Sequence, residues 1–468
     1  MTMNPRLLRV AGAVALLLAL LGAALVARND AGLSGPWLLI ALVAAVPLYL
    51  VGRGWRLPWW MHAVAAALPL SLLIVAAVHG YGDGAARATR FGYGALLALA
   101  VAGWATTTRR RLAVGVGVLA LAADQYITGW FPWWGGQDPT KLMWGSFYWH
   151  NQFGTYLVIG IAVAAVLAVA GRRSFALLGF VVTFLAGAGV IGSGSRASVA
   201  LLALVLVVAI AIGAAAHRWP GLIRGLVLPV GVVLTAVLMT SAAFFPTDAD
   251  SGDGSGSATD RLVNGDSAES SVTERIKFWG DALRLGASAP LVGIGLQAYG
   301  RALQCVRDTS LTSHPHNEYL LAWAEGGIVA ALPVFAALVG MVWLVVGALR
   351  RPLDVDTRRR IRFLPSGAEL RDDPVRWGAL LALVVAAGHA AFDFDWAYPA
   401  LLAIVGIVGG IAAAPVFADR QRMPLPTALV NLALVAVLVA AAITGHLVDP
   451  VPGEALRPLV PGMYVCPD

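Results

Sequence analysis

Long apolar stretches recur along almost the whole chain, and this feature restricts the fold more than any other. A helix needs about 17 to 25 mostly apolar residues to cross a hydrocarbon layer roughly 30 Å thick. The chain offers about thirteen such stretches, and 59% of its 468 residues are hydrophobic while only 13% are charged. So few charged side chains cannot cover a water-facing globule, which excludes a soluble enzyme. We therefore predict an all-α polytopic membrane protein with about 12–13 transmembrane helices.

Arginines between the apolar stretches predict how the chain is oriented. The predicted spans are 8–27, 36–52, 58–79, 91–108, 112–128, 150–170, 174–193, 197–216, 222–245, 317–349, 377–396, 398–416 and 425–447. Loops that stay in the cytoplasm carry the excess of Lys and Arg. Clusters such as 109–111, 172–173 and 350–376 fall on alternate sides of the spans and place the N-terminus inside. The first stretch lacks a small-residue cleavage site, and we interpret it as a retained span.

This topology divides the chain into five parts. They are N-terminal transmembrane helices (1–128), central transmembrane helices with a Gly-Ser-Arg outer turn (129–246), one long extracytoplasmic loop (247–316), C-terminal transmembrane helices (317–447) and an extracytoplasmic tail (448–468). Cys305 and Cys466 both fall on the outer side, where thiols oxidise. They either form a disulfide that joins the tail to the loop or remain two separate thiols.

Short amphipathic helices are predicted inside the long loop. Ser271 and Glu274 form a capping-box pattern, which predicts a helix start there, and Pro290 ends the helix. Its apolar face is Val272, Ile276, Trp279 and Leu283. Such a helix lies along the outer membrane interface, or else it is a solvated helix. Its basic residues could instead face a lipid-linked anion.

A Ser-Gly-Ser-Arg turn, 193–196, interrupts the apolar sequence at the outer ends of two spans. The guanidinium of Arg196 offers five donors in a fork that suits phosphate, and the small neighbours allow a ligand to come close to the backbone. The alternative is an arginine that extends toward the interface and closes a tight turn.

Histidines at the entrance to the tenth span are the candidates for proton transfer. A histidine near its ordinary pKa of about 6.5 exchanges a proton near neutral pH, so His316 is a candidate general base. His314 and His316 lack the further ligands of a zinc site, and a structural histidine at a helix entrance is the alternative. Glu325 is expected to hold a buried partner. Asp393 and Asp395 are either loop anchors or part of a pocket wall.

These residues carry a resemblance to a known family. His316-Asn317, followed by nine residues and Gly327, resembles the signature of the O-antigen ligase superfamily of bacterial membrane proteins. The last position departs from it, because Ala330 stands where the family has Gly, Thr or Tyr. The Gly-Ser-Arg turn, the stretch 275–295 and the segment 145–151 also agree, so the resemblance covers roughly residues 140 to 415.

The resemblance implies a glycosyltransferase that needs no metal and no other cofactor. It implies that a polyprenyl-diphosphate-linked glycan is the donor and that a hydroxyl on a lipid, glycan or protein is the acceptor. Arg196 and Arg275 would hold the diphosphate, His316 would be the base and Asn317 would orient it. Further candidates for substrate contact are Lys277, His314 and Asn151.

Other functions remain open at this stage. A polysaccharide polymerase of the same superfamily differs only in its acceptor, and a multi-span transporter would also use polar groups among many helices. The expected location is the bacterial cytoplasmic membrane, with the site on the extracytoplasmic face and membrane lipids as neighbours. The arginines are spread over separate short loops, so nucleic acid is not expected as a partner.

Overall fold

The protein is a bundle of α-helices. A computed structural model describes residues 5–30, 35–80, 84–135, 142–240, 267–306, 312–352, 361–362, 365–418 and 425–448. The helices are Pro5–Arg28 (α1), Gly35–Val51 (α2), Trp59–Val78 (α3), Ala86–Trp104 (α4), Thr108–Trp134 (α5), His150–Ala170 (α6), Arg173–Gly192 (α7), Arg196–His217 (α8), Trp219–Thr240 (α9), Ser267–Ser288 (α10), Tyr299–Val306 (α11), Glu318–Leu349 (α12), Gly367–Asp372 (α13), Pro374–Ala390 (α14), Pro399–Ala413 (α15) and Leu425–Val448 (α16). Short 3-10 turns lie at Gly54–Arg56, Asp395–Ala397 and Ala414–Phe417, and Arg351–Pro352 (β1) pairs antiparallel with Ile361–Arg362 (β2).

Helix length and apolarity agree with the predicted spans. Within the described ranges, ten helices are long and apolar enough to cross a membrane, namely α1, α3, α5 to α9, α12, α15 and α16. The apolar helices α2 and α14 are shorter. Helix α4 is mostly buried, and Arg87 and Arg90 lie near its start. Together these helices match the predicted spans one for one, so the all-α polytopic membrane fold is confirmed.

Helix α6 lies at the centre of the bundle. Every residue from Gln152 to Ala170 is buried, and the helix packs against α7, α8 and α14. A second group forms around α4, which packs against α2, α15 and α16. One apolar core joins both groups and includes buried residues of α1 to α9 and of α12 to α16. Helices α10 and α11 instead pack in a separate small core with the start of α12.

Helix α10 and the predicted span 317–349 differ from the sequence predictions. Helix α10 begins at Ser267, four residues before the predicted capping box at Ser271. The predicted span 317–349 is broken at Gly327, whose φ of 56° and ψ of −152° are not helical. The part after the break, 328–349, is about 33 Å long at 1.5 Å per residue, which is enough to cross a bilayer. The proposed disulfide lies outside the described residues, because they include neither Cys466 nor the side chain of Cys305.

The two ends of the bundle differ in chemistry. We call the end where α6, α8 and α15 begin and α7 and α14 end the site end. At the opposite end, arginines that the sequence places inside are tied to the bundle: Arg111 lies 2.6 Å from Asp373, and Arg371 donates to the carbonyl oxygen of Ala216. Two of the arginines that the sequence predicts inside, Arg111 and Arg371, thus lie at the same end of the bundle.

Candidate functional site

Asp393 joins three segments at the site end. Its Oδ1 lies 3.1 Å from Nδ1 of His316, and its Oδ2 accepts a hydrogen bond of 2.8 Å from Nδ2 of Asn151. Its Oδ1 also accepts from the backbone N–H of Phe394 at 2.9 Å. The Asp393 side chain is only 1% exposed, whereas that of His316 is 24% exposed. A histidine that a ligand can reach is thus fixed by a buried carboxylate.

The His-Asn pair marks the start of α12. Asn317 is the N-cap: its Oδ1 accepts from the N–H of Leu320 at 3.0 Å, and its Nδ2 donates to the carbonyl oxygen of Ala391 at 2.9 Å. His316 precedes the helix with a left-handed φ of 53° and turns toward Asp393. The amide of Asn317 therefore supports the helix and the loop that carries Asp393, while Asp393 contacts the imidazole directly.

The Gly-Ser-Arg turn packs on the same segment of α6. Ser195 caps α8 by accepting from the N–H of Ser198, and the hydroxyl of Ser198 donates to the carbonyl oxygen of Asn151 at 3.3 Å. A Cβ at Gly154 would lie 2.7 Å from this hydroxyl, so the close approach requires glycine. Arg196 is the first residue of α8 and is half-buried. Its position is thus linked through α6 to the Asp393 cluster.

Helix α10 brings a second arginine to the cluster. Arg275 is half-buried, and its positive charge acts on both Asp393 and His389. Lys277, two residues further along the same helix, points away from Arg275, is exposed and lies 2.6 Å from Glu274. Of the two predicted cations of α10, Arg275 is the one whose charge reaches the cluster.

The two acids of the loop after α14 differ in their preferred charge. Burial alone would raise the pKa of Asp393, but the hydrogen bond from His316 and the charges of His316, His389 and Arg275 outweigh it and hold this pKa well below its usual range. Burial raises the pKa of Asp395, and its contact with His389 only partly offsets the effect. Asp393 is therefore the fixed anion of the site.

His314 lies behind the site. It is 2% exposed and stacks on Phe394 with ring centroids 4.6 Å apart. Burial, with a smaller effect from the charge of Arg87, places the pKa of His314 well below its ordinary value. A neutral, stacked histidine supports the loop that carries Asp393, and its contact with substrate remains a prediction.

A second polar pair lies deeper, at the mouth of an apolar cavity. Nδ1 of His389 lies 2.8 Å from Asp395, and both side chains are buried. Asp395 also lines a cavity of about 260 Å³ between α3, α4, α6, α12, α14 and α15. Tyr319, Thr155 and Trp396 line it near the site, and Trp60, Trp343 and Phe417 line it toward the opposite end. An apolar space therefore extends from the polar cluster into the bundle.

The glycine of the family signature has a structural role. At the break in α12, Ile328 and Val329 donate to the carbonyl oxygens of Pro290 and Leu291, and Gly295 donates to that of Glu325. A Cβ on Gly327 would lie 2.6 Å from the backbone of Leu291. The segment that follows α10 therefore packs against the break and forms backbone hydrogen bonds on both sides of it.

Glu325 holds this junction to α4. Its Oε2 lies 2.6 Å from Nη1 of Arg87, and its Oε1 accepts from the backbone N–H of Tyr299 at 3.2 Å. Both charged side chains are buried. The expectation that Glu325 holds a buried partner is confirmed, and the partner is Arg87.

The structure thus places four predicted residues in or beside one cluster: His316, Asn151, Arg275 and, through α6, Arg196. Sequence reasoning left the role of Asp393 open and did not find it as the partner of His316. The sequence signal for Asp393 was the pair of acids after α14. No local pattern linked Asp393 to His316, which lies 77 residues earlier.

Comparison with known proteins agrees with this arrangement. Residues 181–335 match the family model described as O-antigen ligase. The match includes Arg196, Arg275, the His-Asn pair and Gly327, and it ends before Asp393. No curated protein matches the chain. The matched region covers 155 of the 468 residues and is similar to the O-antigen ligase family, whose members are glycosyl-transferring enzymes.

Proposed function

We propose that the protein transfers a glycan from a polyprenyl-diphosphate-linked donor to an acceptor hydroxyl at the extracytoplasmic face of the bacterial cytoplasmic membrane. The observation that carries this proposal is the His316–Asp393 pair at 3.1 Å, with the charge of Arg275 acting on it. A general base beside fixed positive charge suits a reaction in which a hydroxyl attacks and a diphosphate leaves.

The His316–Asp393 contact supports one set of proton positions. A carboxylate only accepts hydrogen bonds, so Nδ1 of His316 carries the hydrogen that faces Asp393. Nε2 of the neutral ring is then the acceptor that takes the proton from the incoming hydroxyl. The hydroxyl oxygen forms a bond to the anomeric carbon while the bond from that carbon to the diphosphate oxygen breaks. Asp393 stabilises the imidazolium that results.

The positive charge of the arginines stabilises the leaving diphosphate. Negative charge collects on the diphosphate as the glycosidic bond breaks, and a fixed guanidinium stabilises it without reorganising. Arg196 at the start of α8 and Arg275 on α10 are the proposed pair, because α8 contacts α6 at Asn151, which binds Asp393, and the charge of Arg275 acts on Asp393. Exposed Lys277 remains a candidate for contact with the glycan or diphosphate.

The apolar cavity supports a lipid-linked donor. It begins beside Asp395 and Trp396 and is lined mostly by aliphatic and aromatic side chains. A polyprenyl chain can lie there while its diphosphate stays in the polar cluster. The acceptor is a hydroxyl on a lipid, a protein or a second glycan, and the last of these would make the enzyme a polymerase.

The test is turnover by purified protein in nanodiscs, with an undecaprenyl-diphosphate-linked glycan, a mixture of the three acceptor classes and EDTA. We expect wild type to release polyprenyl diphosphate and His316→Ala to lose this release. His79→Ala removes an exposed histidine at the end of α3 and is the matched control, expected to react like wild type. Equal release by His316→Ala and wild type would remove His316 from the mechanism. Donor binding with no wild-type release would contradict the transferase itself.

A further inference from the structure

Helix α10 has two apolar faces, and only one of them packs on the protein. Phe278 and Ala282 are buried with Tyr299, Leu303 and Leu321 in a small core between α10, α11 and the start of α12. The hydroxyl of Tyr299 donates to the carbonyl oxygen of Phe278 at 2.9 Å. This first face fixes the rotation of α10 about its axis.

The second apolar face is exposed. Val272, Ile276 and Leu283 are 57%, 58% and 52% exposed. At about 100° per residue these three side chains fall within a sector of roughly 40°. The surface of a monomeric water-soluble protein rarely carries an aligned row of exposed valine, isoleucine and leucine side chains. The exposed face therefore requires an apolar neighbour.

The chain after α10 connects this face to a lipid-facing surface. Leu291 is 68% exposed and is bonded through its carbonyl oxygen to Val329, just after the break in α12. The next exposed side chains along α12 are Ile328, Leu332, Phe335, Val339, Val342 and Trp343. They lie on a helix long and apolar enough to cross a membrane, so this stripe faces lipid. Exposed apolar surface thus continues from the span to the end of α10.

Exposed charged side chains lie about 100° to 120° around α10 from this face. Arg284 is 75% exposed and lies 3.5 Å from Asp281, and Lys277 is 49% exposed. On the helix, Arg275 lies between the exposed apolar face and the buried face. An amphipathic helix with this division lies in the plane of the headgroups, with its apolar face in the acyl region.

We propose that the exposed face of α10, Val272, Ile276 and Leu283, inserts into the membrane leaflet at the site end, and that this insertion holds Arg275 at the depth of lipid phosphates. The membrane contact stands independently of any reaction. The consequence for Arg275 rests on the proposed function, because it gives the bilayer a part in presenting a lipid-linked diphosphate to the site.

The contact is tested by fluorescence quenching in nanodiscs. A bimane label is placed at Ile276→Cys or, as the matched control on the polar side, at Arg284→Cys, each with Cys305→Ser and Cys466→Ser. We expect lipids brominated on their acyl chains to quench the label at 276 several-fold more than the label at 284. Iodide in the buffer should show the opposite order. Quenching of the 276 label by iodide, or by neither reagent, would overturn the proposal.

A second measurement avoids the cysteine substitutions. A photocrosslinking amino acid in place of Ile276 in the otherwise unchanged chain should give lipid adducts by mass spectrometry, and one in place of Arg284 should not. Absence of lipid adducts at both positions would overturn the membrane contact. For the second part, Ile276→Asn with Leu283→Asn should raise the donor KM several-fold while Arg284→Gln leaves it unchanged. An unchanged KM alongside confirmed lipid quenching would refute only the role in donor presentation.

Discussion

Replacing Asp393 by asparagine removes one negative charge from the centre of the site with almost no change in shape. The wild-type carboxylate accepts from His316, from the N–H of Phe394 and from Asn151. In Asp393→Asn the amide oxygen can keep the first two bonds, and rotation of the Asn151 amide restores the third. What is lost is the charge that stabilises the imidazolium.

The size of the effect follows from that charge. A hydrogen bond to a charged group contributes about 1.5 to 3 kcal/mol, and about 1.4 kcal/mol corresponds to a tenfold change in rate. We therefore expect kcat of Asp393→Asn to fall on the order of 10- to 100-fold. The donor KM should change little, because the buried Asp393 side chain holds the base and does not face the ligand.

The assay is release of polyprenyl diphosphate at several donor concentrations, corrected for the amount of folded protein. Asp372→Asn at the opposite end of the bundle, where the side chain is exposed, is the control for charge removal. Asp393→Glu should recover part of the rate because it restores the charge. A kcat within twofold of wild type for Asp393→Asn would refute the role of Asp393 in holding the base.

The same carboxylate predicts a pH dependence of stability. Because the pKa of Asp393 is lower in the folded protein than its reference of about 3.9, the unfolded chain binds the proton more tightly. Asp393 therefore stabilises the fold above that reference pH, and its contribution is lost as the pH falls further. The difference in Tm between wild type and Asp393→Asn in detergent should be largest near neutral pH and shrink below about pH 4. A constant difference in Tm across this pH range would contradict a lowered pKa of Asp393 in the folded protein.

Three further changes test other parts of the site. Arg196→Ala should abolish transfer and Arg196→Lys should recover only part of it, since a point charge lacks the guanidinium fork; equal rates for Lys and Arg would exclude bidentate binding. Glu325→Gln leaves Arg87 as a buried unpaired charge and should lower the free energy of unfolding by about 3 to 5 kcal/mol, while adding Arg87→Met should recover much of the loss in thermal unfolding. Gly327→Ala should disrupt the junction with the segment after α10 and reduce turnover and Tm. The matched control Gly347→Ala, on the same helix and at a position where a Cβ meets nothing within 4 Å, should change neither.

Much of the fold could be predicted before any contact was known. The bilayer offers no hydrogen-bond partners to the backbone, so an apolar stretch of sufficient length must be a helix. Each predicted span accordingly coincides with a helix. The break at Gly327 depends on another segment, because the backbone of residues 290–295 hydrogen-bonds to α12 on both sides of it.

The candidate site also has a part that the sequence predicts and a part that only the tertiary structure shows. The sequence by itself determined which side chains are candidates for the chemistry: His316 at a helix entrance, Arg196 in a turn of small residues and Arg275 on an amphipathic helix. Only the tertiary structure decided that Asp393 holds His316 and that Arg87 neutralises Glu325. These partners are 77 and 238 residues apart, and their distance is set by how α4, α12 and α14 pack. Local pattern determines a helix because its hydrogen bonds are local, whereas a buried charge takes its partner from whichever segment packing brings within reach.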